Sequence, residues 1–258
     1  MGYIKFGVAQ PSTFGRLADL EILVPAYNEE ARIEATLLAI VDGLIELGLP
    51  SRIRVIDNGS ADRTADIVDR VADRSGTIDV TVEGCSAQGK GRAVARGMTT
   101  SLAHYVGFCD ADLSTPVSAI SEAVIHLKAG WPVVIGSRYL EGSSFIEEQP
   151  LLRRVGGKSF RLLTKGLVGG VADTQCGFKF FNGEAARRIF SNLQLSGFAF
   201  DVEVLARARQ LGYGIKEFPV AWQNVEGSTF HPLRHGFEVS RDLWRIHRYN
   251  RSRVFAQA

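Results

Sequence analysis

The sequence predicts an α/β fold, a mostly parallel sheet flanked by helices on both faces. Short β-branched runs alternate with longer stretches of helical period, and glycine and proline punctuate the joins. With 258 residues, 45% of them hydrophobic, the chain is long enough for one large core. Strands are expected at LEILV (20–24), IRVI (53–56), IDVTV (78–82), YVGFC (105–109) and VVIG (133–136), runs apolar enough to be largely buried. The first helix is expected from about Glu29 to Leu47, where Ile33, Leu37, Ile40, Leu44 and Leu47 make one stripe and Gly48 with Pro50 ends it. A second follows Ser60, read as its N-cap, and turns Ala65, Val68, Val71 and Ala72 inward.

A formal net charge of +2 argues against a dedicated nucleic-acid binder, whose partner would demand a clearly basic balance. Cys85, Cys109 and Cys176 are odd in number and far apart, which suits reduced thiols in the cytoplasm. No run approaches the roughly 18 apolar residues of a membrane span, the N-terminal apolar stretch is too short for a signal peptide, and Phe6 stands where a myristoylation signal needs a hydroxyl. The expectation is a soluble protein, or one peripheral on the cytoplasmic face of a membrane. Two segments bear on that choice. Residues 151–170 carry Arg153, Arg154, Lys158, Arg161 and Lys165 with no acid, and residues 234–253 set six arginines against Glu238 and Asp242, with Phe237, Trp244 and Ile246 among them. Both read as surfaces for anionic lipid or, more simply, as solvated helix faces.

In parallel sheets, ligands bind beyond the carboxyl ends of the strands. That rule selects PAYNEE, DNGSAD, EGCSAQGKG and DADLSTP, which should line one crevice. GCSAQGKG (84–91) nearly completes a phosphate-binding loop, but Gly91 stands where Ser or Thr must reach magnesium. Gly89 and Gly91 are read instead as letting backbone approach a ligand while Lys90 and Arg92 supply charge. Asp110 and Asp112, two apart on extended chain, point the same way. They suit Mg²⁺ or Mn²⁺ bridging a diphosphate; Asp112 equally suits a turn or cap. Asp57 and Asn58 end the second strand in a turn, where a carboxylate can accept from a ribose or base.

Together, VPAYNEE, VIDNGSADRT, QGKGRAVARGM and DADLSTP resemble the ordered motifs of family 2 glycosyltransferases. GSRY (136–139), DTQCGFKFF (173–181), GFAFDVEVL (197–205) and VAWQNVEGST (220–229) are similar to the branch of dolichyl-phosphate β-glucosyltransferases and bacterial polyprenyl-phosphate relatives. The resemblance spans roughly residues 20–230 and implies a single GT-A, Rossmann-like domain over 1–258. Residues 20–136 would form the nucleotide-sugar half, 137–233 the acceptor half and 234–258 a basic amphipathic tail. It implies that Pro25, Tyr27, Glu29, Asp57, Lys90, Asp110 and Ala111 bind the donor, with Asp110 and Asp112 on Mg²⁺ or Mn²⁺. Arg138, Arg153 and Arg154 would meet phosphate, while Gln175, Lys179 and Asp201 would face the acceptor.

The implied reaction is a single displacement with inversion, moving a hexose, UDP-glucose being the favoured donor, to a polyprenyl or dolichyl phosphate. A soluble hydroxyl acceptor such as a small metabolite is the alternative. That case needs a base, with Asp173 first and Asp201 or Glu203 next. A non-catalytic nucleotide-sugar-binding protein is the remote third. The chain departs from the family at Asn58, where D-D-G-S has a second acid, and no segment of it reads as the N-terminal anchor or C-terminal spans of membrane-bound members.

Overall fold

A computed structural model describes residues 18–145, 160–161, 163–164, 166–197, 199–223 and 240–248. The N-terminal half alternates as expected: β1 (Leu20–Ala26), α1 (Ile33–Leu47), β2 (Ser51–Asp57), α2 (Thr64–Ala72), β3 (Asp79–Gly84), α3 (Lys90–Thr100), β4 (Tyr105–Cys109), α4 (Ala119–Lys128) and β5 (Val133–Ser137). Then come β6 (Ser144–Phe145), β7 (Phe178–Asn182), α5 (Gly183–Phe190), α6 (Phe200–Gln210), β8 (Ile215–Pro219) and β9 (Ala221–Trp222). Seven strands form one sheet in the order β3-β2-β1-β4-β7-β5-β8, while β6 and β9 pair separately. All neighbours in the large sheet run parallel except β7, which is antiparallel to both β4 and β5.

Strand alternation divides the core between two faces. Ile22 and Val24 of β1 pack with Ile33, Leu37, Ile40 and Leu44 of α1 on one side. Leu23 packs with Val94 and Met98 of α3 on the other. Strand β7 enters the sheet because its phenylalanines serve both faces: Phe178 and Phe180 join the first cluster and Phe181 the second. Phe180 lies across Gly107 of β4, where any Cβ would overlap its ring.

Two helix boundaries differ from expectation. Glu29–Arg32 form a turn, so α1 begins at Ile33; Gly48, in the left-handed region at φ 67°, ends it as read. Ser60 does not cap α2. Asp62 Oδ1 accepts from the Thr64 N–H at 3.0 Å, and Ser60 is drawn to Asp57 instead, its hydroxyl donating to Oδ1 at 2.5 Å.

Among the described residues no helix is long and apolar enough to cross a membrane. In the helical stretch 240–248, Leu243 and Ile246 are buried in the core while Trp244 is exposed among Arg241, Arg245 and Arg248. Ile246 is therefore a core residue, not part of a lipid-facing surface. Residues 151–159 and 234–239 of the two basic segments, including Arg153 and Arg154, lie outside the described residues.

Candidate active site

The carboxyl ends of β1, β2, β3 and β4 lie side by side because these strands are parallel neighbours, and the four selected loops open there. The first two are laced together. Asn28, at φ 55°, accepts from the Ala61 N–H through Oδ1 (2.8 Å), and its own N–H donates to Ser60 Oγ (2.9 Å). The Glu29 N–H donates to Thr64 Oγ1 at 2.8 Å. Pro25 and Asp57 are half-buried beside Tyr27, which is 62% exposed. Such an open ring at a crevice wall can stack on a base.

Asn58 clamps the third loop. Its Nδ2 donates to the carbonyls of Ala87 (2.7 Å) and Cys85 (3.3 Å), and its Oδ1 accepts from the Gly89 N–H at 2.7 Å. Both functions of the amide are thereby spent on the loop that begins α3. An aspartate could accept but not donate. Asn58→Asp is expected to loosen this loop and raise the KM for the donor about tenfold, the scale of orphaning one or two hydrogen-bonded groups. A donor KM within twofold of wild type would refute the clamp.

The loop's glycines pack closely against the segment that leads into α6. A Cβ at Gly89 would stand 2.8 Å from the Ser196 carbonyl, and one at Gly91 would stand 2.8 Å from Phe200 Cβ. Their small size is required by the close approach of Leu195, Ser196 and Phe200. Lys90, the first residue of α3, is 41% exposed and reaches across to a close ion pair with Asp110 Oδ1. Burial opposes its charge, but Asp110 and then Asp201 outweigh it and hold the ammonium above its ordinary value.

Asp110 and Asp112 follow β4 and are half-buried. Thr36 of α1 fixes the segment between them, donating to the Ala111 carbonyl at 2.6 Å. The Ala111 methyl is in the core, which leaves only its backbone to meet a donor. Asp112 Oδ1 accepts from the Ser114 N–H at 3.0 Å, so the turn reading of Asp112 holds, and it leaves the negative charge in place. Glu29 senses that charge. Its carboxyl is raised chiefly by burial, against the pull of Arg32, and further by Asp112 and Asp110.

On the acceptor side, Arg138 leaves β5 and grips Asp173 with both arms, Nε to Oδ2 at 2.7 Å and Nη2 to Oδ1 at 2.9 Å; its backbone N–H adds a third bond to Oδ2. Burial alone would raise the Asp173 carboxyl, but Arg138 holds it below the usual carboxylate range. Such a group is a poor base, contrary to the expectation for Asp173. Burial raises the Glu203 carboxyl, but both of its oxygens are already engaged. Its oxygens accept from the Gln194 and Leu195 N–H groups at 3.0 and 2.8 Å, a structural task. Lys179 is wholly buried, with Nζ 2.6 Å from Asp201 Oδ1 and 2.6 Å from the Cys176 carbonyl. The sequence reading set both Lys179 and Asp201 facing the acceptor; instead each spends its charge on the other. Gln175 is half-buried on the same loop. That loop reaches the donor side at Gly177, where a Cβ would overlap the Asp110 carboxylate.

The family model "Glycosyl transferase family 2" matches residues 21–190, which include every loop just described up to α5. The chain belongs to glycosyl transferase family 2. It is 34% identical to the dolichyl-phosphate beta-glucosyltransferase of Dictyostelium discoideum over 88% of this chain and 73% of that one. With the human protein of the same name it shares 32% over 87% and 73%. Its fold is that of glucosyl-3-phosphoglycerate synthase from Mycobacterium tuberculosis, solved with Mn²⁺, UDP-glucose and phosphoglyceric acid, at a TM-score of 0.66 and 21% identity over 90% of this chain and 79% of the other. The family 2 member described here is therefore a GT-A glycosyltransferase.

Proposed function

We propose that this glycosyltransferase moves glucose from UDP-glucose to a polyprenyl phosphate, with inversion, at the crevice between Asp57, Lys90, Asp110 and the 173–177 loop. The relatives named dolichyl-phosphate beta-glucosyltransferase, matched over most of the chain, support the substrates. The observation that carries the acceptor class is the commitment of the carboxylates. Asp173 is held by Arg138, Asp201 by Lys179 and Glu203 by two backbone N–H groups. These are the three carboxylates named as base candidates for a hydroxyl acceptor, whereas a lipid phosphate arrives already ionised and needs no base. Its oxygen attacks the anomeric carbon, the bond to the UDP oxygen breaks on the opposite face, and UDP leaves with the electron pair.

Asp110 and Asp112 would hold Mg²⁺ or Mn²⁺. The donor set fits: Asp110 and Asp112 are two hard carboxylates whose charge adds to the burial that raises Glu29; among the described residues no cluster of three His, Cys, Asp or Glu stands there. Ions of this kind take one or two carboxylates and fill other positions from substrate phosphate and water. Bound there, the cation would neutralise charge growing on the leaving diphosphate. Lys90 would add its ammonium to that diphosphate, and Tyr27 and Asp57 would receive uracil and ribose. The exposed Trp244 with Arg241, Arg245 and Arg248 supports a peripheral seat on anionic headgroups, near the lipid acceptor.

The test has two parts. UDP with Mn²⁺ is expected to raise Tm by about 5–10 °C, as roughly 100-fold saturation contributes ~2.7 kcal/mol. No shift with UDP, or an equal shift without metal, would refute the donor site or the cation. Radiolabelled glucose from UDP-glucose should then appear on dolichyl phosphate. Transfer to phosphoglyceric acid instead would replace the lipid by a soluble acceptor.

A further inference from the structure

Lys179 is an anomaly in its strand. It lies in register with Phe108 of β4 and Ile135 of β5, between the strand that leads to Asp110 and the strand that leads to Arg138. Its neighbours along β7 are phenylalanines, its own exposure is 0%, and its ammonium rests 5.5 Å from the Phe108 ring. The counter-charge comes from Asp201 in the first turn of α6. A buried ion pair of this kind adds little net stability, since apolar side chains of like volume commonly serve as well. Its place in the fold therefore points to geometry.

The pair ties three parts of the site together. The same ammonium that meets Asp201 also takes the carbonyl of Cys176 at 2.6 Å, fixing the loop one residue before Gly177. Gly177 in turn abuts the Asp110 carboxylate so closely that no side chain fits between them. From the other end of the pair, Phe200 precedes Asp201 and packs on Gly91, next to Lys90. The Asp110 carboxylate is thus flanked by the loop on one side and by Lys90 on the other, and both trace back to one buried pair.

We propose that Lys179 and Asp201 are positioning residues that set the 173–177 loop against Asp110, and so align acceptor with donor, without touching either substrate. The alignment part rests on the acceptor reading given above; the loop-setting part does not. The test is the double variant Lys179→Met/Asp201→Leu, read by hydrogen exchange and by kinetics. In the folded variant, amides of 173–177 should exchange about tenfold faster while β1 and β2 keep their protection, the mark of a local release rather than global loosening. Acceptor KM should rise about tenfold with donor KM within twofold, a split that a merely stabilising pair would not produce.

Unchanged exchange in the loop overturns the proposal. So does faster exchange with both kinetic constants at wild-type values. If the unsubstituted protein transfers no glucose to dolichyl phosphate, the acceptor reading fails while the exchange result still decides the role of the pair. Should the double variant not fold, Asp201→Glu keeps the charge and lengthens the pair by one methylene. The same exchange and KM pattern is then expected, and wild-type behaviour would refute the idea.

Discussion

Asp112→Asn is expected to reduce glucosyl transfer by about 10²–10³-fold while the protein stays folded, the scale of removing one preorganised electrostatic group from a transition state. Asparagine keeps the side-chain oxygen that accepts from the Ser114 N–H, so the turn after β4 survives. What disappears is one negative charge on the segment that Thr36 fixes from α1. Without it, Asp110 alone would face the cation, and Asp110 already shares an oxygen with Lys90. Two readouts separate chemistry from folding. The melting temperature should stay within a few degrees of wild type, and the Mn²⁺-dependent part of the UDP thermal shift should vanish. Wild-type transfer by the variant would end the proposed cation role of Asp112. Asp112→Ala is the harsher form, because it also removes the turn's acceptor.

The N-terminal half was legible because its signals are local. The α1 stripe, the Gly48 stop and the strand runs each depend on a few neighbouring residues, and parallel pairing then brings the four loops together without further information. Side-chain partners are different. Asn58 could be seen to lack a charge, but not that both ends of its amide were engaged across 27 to 31 residues with Cys85, Ala87 and Gly89. Lys179 sits in a motif that suggested an acceptor contact, and the signal against it was at hand. A lysine between Phe178 and Phe180, and on the same face as Phe181, sits in a strand whose two faces are both apolar. Strand β7 is not among the expected strands at all, since FKFF carries no clear alternation to mark it, and nothing local states that it enters antiparallel. Asp173 is the first base candidate for a hydroxyl acceptor in sequence, but its basicity depends on Arg138, 35 residues away.

Glu21 passed as one letter of the apolar run LEILV, yet Glu21→Ala is expected to lower stability by about 3–5 kcal/mol, the cost of stripping one partner from a buried charge cluster. Its exposure is 0%. Oε1 lies 2.9 Å from both Arg52 Nη2 and Arg54 Nε in ion pairs without aligned hydrogen bonds, and Oε2 accepts from the Ser101 hydroxyl. Arg54 continues the cluster to Glu83 (2.8 Å) and the Gly97 carbonyl (2.8 Å), and Arg96 meets Glu83 at 2.6 Å. Strands β1, β2 and β3 and helix α3 are thus joined around one carboxylate on the face where Leu23 packs. Alanine would leave two guanidinium groups crowded together with half their counter-charge gone. For a chain of this size each kcal/mol moves Tm by roughly 2–4 °C, so a fall of about 10 °C is expected. Glu21 lies near the start of β1, opposite the crevice, so kcat and both KM values of the folded variant should match wild type at low temperature. Glu21→Gln, which keeps the Ser101 bond, should lose less. A loss below 1 kcal/mol in the alanine variant would mean that Glu83 suffices for Arg54 and solvent for Arg52, and that the buried carboxylate contributes little to holding β1 against α3.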